Sequence, residues 1–173
     1  MLAVDGAVAM VLAIPSQYRE LLAGFGSLDA IDARLRHRRV APSWSALERI
    51  AHVADVLHTS AKREVAILDG DRDRFAPVRI DAPRAGTHAT ASRVVLGSLF
   101  AAAADLGRAV SRAQPDDWGQ TGKGSRGDRL REVCSYALHE SRHHLGDVAD
   151  LLNGFVGIQG PVGTDAGTWA VRP

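Results

Sequence analysis

The chain has 173 residues, a formal net charge of +1, 46% apolar residues and one cysteine, Cys134. That length suits a single domain with a full hydrophobic core. A charge this close to zero offers no strong field for nucleic acid or an anionic membrane. A lone cysteine excludes an internal disulfide, which fits a cytoplasmic protein.

The stretch from Met1 to Pro15 is apolar, but it lacks a basic start and Asp5 interrupts it. Its uninterrupted run, Ala7 to Ile14, is short for a secretory signal and far short of a membrane span. A packed arm or the first turns of a helix is expected there. Residues 16–25 read as a helix capped by Ser16, with Tyr18, Leu21, Leu22 and Phe25 on one stripe. Pro15 should limit any backward extension, because proline lacks the helix donor. Residues 28–36 read as a second short helix with Leu28, Ile31 and Leu35 on its stripe. The basic run at 34–39 reads as a solvated helix end rather than an anion site.

Ala41-Pro42-Ser43 breaks the chain, and Ser45 and Glu48 then have capping-box spacing. They open a long helix over 45–68 whose stripe is Leu47, Ile50, Ala51, Ala54, Leu57, Ala61 and Val65. His52 lies beside that stripe, with Asp55 three residues on. Trp44 precedes the cap and is placed to close over the helix start as a hydrophobic staple. Residues 69–90 carry Gly70, Pro77, Pro83 and Gly86 and read as an irregular crossover, with a short extended piece at 78–80. In a bundle, one such crossover lets two consecutive helices run parallel.

A third long helix is expected over 91–113, ended by Pro115. Asp116-Asp117-Trp118 and the glycine-rich stretch after it read as a loop. GKGS in that loop lacks the spacing and the preceding strand of a phosphate-binding loop. The last long helix runs over 128–152, with Asn153-Gly154 as its C-cap. Residues 1–153 are therefore read as one all-α domain, and 154–173 as a glycine-rich tail, either a packed arm or disordered.

Chemistry concentrates in Tyr136 to Leu152, YALHESRHHLGDVADLL. Two histidine-containing pairs there have i,i+4 spacing and so share a helix face: His139/His143 and Glu140/His144. The stripe Val133, Ala137, Glu140, His144, Val148, Leu151 is otherwise apolar and faces the core. The stripe Glu132, Tyr136, His139, His143, Gly146, Asp150 is mostly polar and belongs at the solvent border. Core-facing ionisable groups are costly unless paired or coordinated. Glu140 and His144, with His52 from the earlier helix, are therefore the stronger ligand set, and His139 and His143 are rim residues. Three ligands leave a coordination position open, the arrangement of a catalytic centre. HVADV at 52–56 and HLGDV at 144–148 repeat His-x-x-Asp-Val, which places Asp55 and Asp147 where each could orient its imidazole. HESRH at 139–143 also matches the zinc-protease pattern, but its two histidines fall on the polar stripe and no His or Glu follows residue 144. Cys134 lies mid-helix among apolar neighbours and reads as a small buried residue.

PSWSALERIAHVADVL (42–57), PDDWGQTG (115–122) and YALHESRHHLGDV (136–148) together resemble the DinB/YfiT-like metalloenzyme superfamily. The resemblance covers roughly residues 15–153. It implies a four-helix bundle with up-down-down-up topology, the long crossover joining its second and third helices. It also implies a divalent metal, commonly zinc or nickel, on three side chains, which match His52, Glu140 and His144. The family more often has histidine where Glu140 stands. A glutamate there is similar to the mycothiol-dependent maleylpyruvate isomerase branch, and the departure keeps His139/His143 open as an alternative set. Thiol-dependent transfer or isomerisation on a small-molecule substrate, with a low-molecular-weight thiol such as mycothiol, is the implied activity. A metal-dependent hydrolase and a non-catalytic, stress-related helical homodimer are the alternatives. No nucleic-acid or membrane partner is expected.

Overall fold

The computed structural model describes residues 3–39, 43–70, 86–120 and 125–155. Among them are six α-helices: α1 (Val4–Ala23), α2 (Leu28–Arg36), α3 (Ala46–Leu68), α4 (Ser92–Ser111), α5 (Pro115–Gly119) and α6 (Arg126–Asn153). A 3-10 turn at Thr87–Ala89 leads into α4. The extended piece expected at 78–80 and most of the glycine-rich tail lie outside the described residues.

The four long helices form a ring. α3 lies along both α4 and α6, and α1 closes the opposite side against the same two. Side-chain pairs fix their relative directions. Arg112, after α4, bonds to Asp69, after α3, at 2.6 Å, and His58 faces Asp105 at 4.0 Å, so these helices run in the same sense. Arg49 meets Asp147 at 3.0 Å while Glu64 lies near Cys134, so α6 runs opposite to α3. Arg19 stacks on Phe100 and Leu12 packs on Gly107, which makes α1 antiparallel to α4.

α1 begins twelve residues before the expected start. Pro15 sits inside it, and Ser16 is no cap: its hydroxyl donates to the Ala13 carbonyl. Proline in a helix interior costs about 3 kcal/mol. Against that stands a continuous buried stripe of Ala7, Val11, Ile14, Pro15, Tyr18 and Leu22. At about 1.5–3 kcal/mol per large buried side chain, its packing outweighs the lost hydrogen bond.

α3 carries the expected capping box in full: Ser45 accepts from Glu48 N, and the Glu48 carboxylate accepts from Ser45 N at 2.9 Å. Arg38 then bonds to the same carboxylate. Burial pushes the Glu48 carboxyl up, but the Arg38 and Ser45 bonds prevail and hold it below the ordinary range. The rest of the basic run is used in the same way. Arg36 bonds to Asp32 and the Thr90 carbonyl, Arg39 to the Asp150 carbonyl, and Arg34 and His37 pack on Phe155. These side chains tie α2 to the start of α4 and the end of α6, while His37, Arg38 and Arg39 remain exposed to solvent.

Pro115 starts the short helix α5, where a loop was expected, because its fixed φ suits a first helical position. Arg131 bonds to the carbonyls at its end, and Gly127 lets the start of α6 come close against them. α4 is long and apolar enough to cross a membrane by length and composition alone. In the fold its apolar face, Val95, Leu99, Ala102, Leu106 and Val110, is buried.

Candidate metal centre

His52 and Glu48 project from the first turns of α3, and Glu140, His144 and Asp147 from the second half of α6. Because α3 and α6 are antiparallel, these segments meet near one end of the bundle. His52 and His144 are buried; Glu140 is about one-fifth exposed. The buried line of α6 is Leu130, Cys134, Ala137, Ser141, His144 and Val148, so Glu140 stands at its edge and not at its centre as the periodicity suggested.

Glu140 Oε2 lies 3.4 Å from His144 Nε2 and 3.6 Å from His52 Nε2. One donor atom from each of the three residues falls within 4.8 Å of the others. Tetrahedral zinc with bonds of about 2.0–2.1 Å sets its donors roughly 3.3 Å apart. The two Glu140 edges are close to that spacing, so the donor set fits a small divalent ion. The rings of His52 and His144 meet edge to face at 4.8 Å.

Asp147 Oδ2 lies 2.9 Å from His144 Nδ1 and 3.0 Å from Arg49 Nη1. Arg49 Nη1 is also 3.2 Å from that ring nitrogen. A guanidinium only donates and a carboxylate only accepts. The consistent arrangement has both Arg49 and His144 Nδ1–H donating to Asp147, which leaves the His144 Nε2 lone pair facing Glu140. Burial lowers the pKa of His144, with Arg49 adding to it against Asp147 and Glu140. Burial and the neighbouring His144 lower the pKa of His52. Both rings are thereby held neutral, the form that binds metals.

The symmetry expected of the two His-x-x-Asp-Val segments is not met. Asp147 orients its histidine, whereas His52 Nδ1 is buried without a hydrogen-bond partner. Asp55, three residues on, acts on the His52 ring only through its charge, which favours the charged form, and it lines a cavity with Thr87, Thr90 and Val95. Trp44 does more than staple the helix start. Its ring lies 5.0 Å from that of His52 and 6.3 Å from that of His144, and the Arg49 guanidinium covers it at 5.0 Å. Arg49 was not singled out from the sequence. Its only signal was its place one turn before His52 in a helix that also carries a ligand candidate.

His139 and His143 are exposed on the outer face of α6, their rings nearly parallel with centroids 6.3 Å apart. Glu140 points away from them toward the inner histidines, so HESRH does not assemble a protease-type centre. Cys134 is buried, and burial pushes its thiol up to about 12.

A family model of the DinB superfamily matches residues 15–148. The chain belongs to the DinB superfamily. The matched span includes His52, Glu140 and His144, and it selects no branch within the superfamily. No curated protein and no solved structure matches the chain significantly. Membership and the His/Glu cluster together describe an all-helical protein with a group able to hold a metal.

Proposed function

We propose that His52, Glu140 and His144 bind a divalent cation, zinc or nickel, and that this DinB-superfamily protein uses it for thiol-dependent transfer or isomerisation of a small molecule. The observation that carries the ligand assignment is one carboxylate oxygen, Glu140 Oε2, shared between two buried imidazole nitrogens at 3.4 and 3.6 Å. Two imidazoles and a carboxylate suit ions of borderline softness. Such an ion, when bound, supplies Lewis acidity that lowers the pKa of a thiol or water.

The chain's own groups do the rest. Asp147 holds the proton of His144 at Nδ1 and keeps Nε2 directed inward. Trp44 and Arg49 cover the histidines and limit water on that side. Glu140, at the edge of the buried face, marks the side open to substrate. Cys134 is buried with its thiol held protonated, so a thiolate for the reaction comes from a small-molecule thiol and not from this chain.

Metal content tests the ligand set. Purified protein should carry close to one tightly held ion, and His52→Ala/His144→Ala should lose it; equal content in both would refute the assignment. Incubation with a low-molecular-weight thiol and an electrophile tests the chemistry. Metal-dependent conjugation is expected, whereas metal-dependent ester hydrolysis without conjugation would favour a hydrolase.

A further inference from the structure

We propose that the outer face of α6 carries a second divalent-cation site, formed by His139 and His143 with the Asp147 carboxylate at its edge. The three residues are spaced i, i+4 and i+8, and so lie along one side of the helix. The two rings are within 2° of parallel, with centroids 6.3 Å apart, and both side chains are exposed. His143 Nε2 lies 3.7 Å from Asp147 Oδ2. His143, His144 and Asp147 each place a donor atom within 4.8 Å of the others, so a carboxylate stands at the His143 end of the outer pair.

Cis ligands with bonds of about 2.0–2.1 Å have their nitrogens roughly 3 Å apart. Rotation about χ1 and χ2, which packing does not oppose at exposed positions, brings the two rings to that spacing. The helix already holds both imidazoles on one face, so chelation orders little beyond the rings themselves. Paired imidazoles favour zinc, nickel and copper(II) over magnesium and calcium. The outer site has no buried ligand and stays open to water, so it binds more weakly than the inner one. Its formation depends on neither His52 nor Glu140.

Calorimetric titration of metal-stripped full-length protein with Zn2+, and separately with Ni2+, tests this. The expected isotherm has two classes of site. His139→Ala/His143→Ala should remove the weaker class and leave the tighter, while His52→Ala/His144→Ala should leave the weaker in place. His139→Ala alone should weaken the outer class at least tenfold. A single ion lost with the outer substitutions would support this site while refuting the inner one. The proposal is overturned if the outer double variant keeps both classes, or if the wild-type protein binds one ion and that variant still binds it. Both substituted side chains are exposed, and circular dichroism should show unchanged helicity.

Discussion

Glu64 offers the sharpest energetic test of this fold. It lies on α3 three turns beyond His52, fully buried, and neither carboxylate oxygen has a hydrogen-bond partner. Burial pushes its carboxyl from 4.5 to about 8. The folded protein thus keeps a proton that the unfolded chain releases between pH 4.5 and about 8. The unfolded state binds fewer protons in that window, so stability falls as pH rises through it. At about 1.36 kcal/mol per pH unit, the loss from pH 5 to pH 8 is about 4 kcal/mol. Even protonated, an unpartnered buried group costs about 1–3 kcal/mol. Glu64→Leu removes both costs and should raise stability most at pH 8. Glu64→Gln removes only the titration. Urea unfolding of all three proteins at pH 5 and pH 8 separates the contributions. Wild type should lose about 4 kcal/mol more than either variant over that interval. An equal loss in wild type and Glu64→Gln would show that Glu64 does not titrate there, and the reasoning from burial would fail.

Asp147→Asn should weaken the inner ion by about 10–100-fold, because His144 loses the acceptor that fixes its tautomer. Titration in a His139→Ala/His143→Ala background reads this without interference from the outer face, and unchanged affinity would exclude the orienting role. Gly127→Ala should cost about 1–3 kcal/mol, since a Cβ there collides with the Asp117, Gln120 and Trp118 carbonyls. Thermal unfolding checks it, with a fall in Tm of roughly 2–4 °C per kcal/mol.

The four-helix plan was legible because each long helix announces itself locally. The Ser45/Glu48 box and the apolar spacing of α4 needed nothing from elsewhere in the fold. The matching of His52 with the Glu140/His144 pair was also legible, from residue type and helical phase. What the sequence hid depended on neighbours. α3 packs on two helices, so its buried arc is wider than one stripe and includes His52, Val56, Ser60 and Glu64 on the α6 side. A single-stripe reading left Glu64 unnoticed, since a glutamate at that phase looks like a solvent residue. Pro15 suggested a helix boundary by local rule, but the stripe from Ala7 to Leu22 prevailed through packing that no local rule contains. The basic run at 34–39 gave no sign of its carbonyl and carboxylate partners, because those come from α3, the start of α4 and the end of α6.

The position of Trp44 gives the protein a built-in optical probe. Its indole lies 5.0 Å from the His52 ring, well inside the range over which a paramagnetic ion quenches emission. Trp118 belongs to α5, and its carbonyl lies against Gly127, thirteen α6 residues before Glu140, roughly 20 Å along the helix axis. Nickel or copper(II) arriving between the two histidines would darken Trp44 far more than Trp118, whereas zinc would leave its brightness largely intact. Occupancy could then be followed in real time, on the unlabelled chain, from the Trp44 share of the emission and its lifetime.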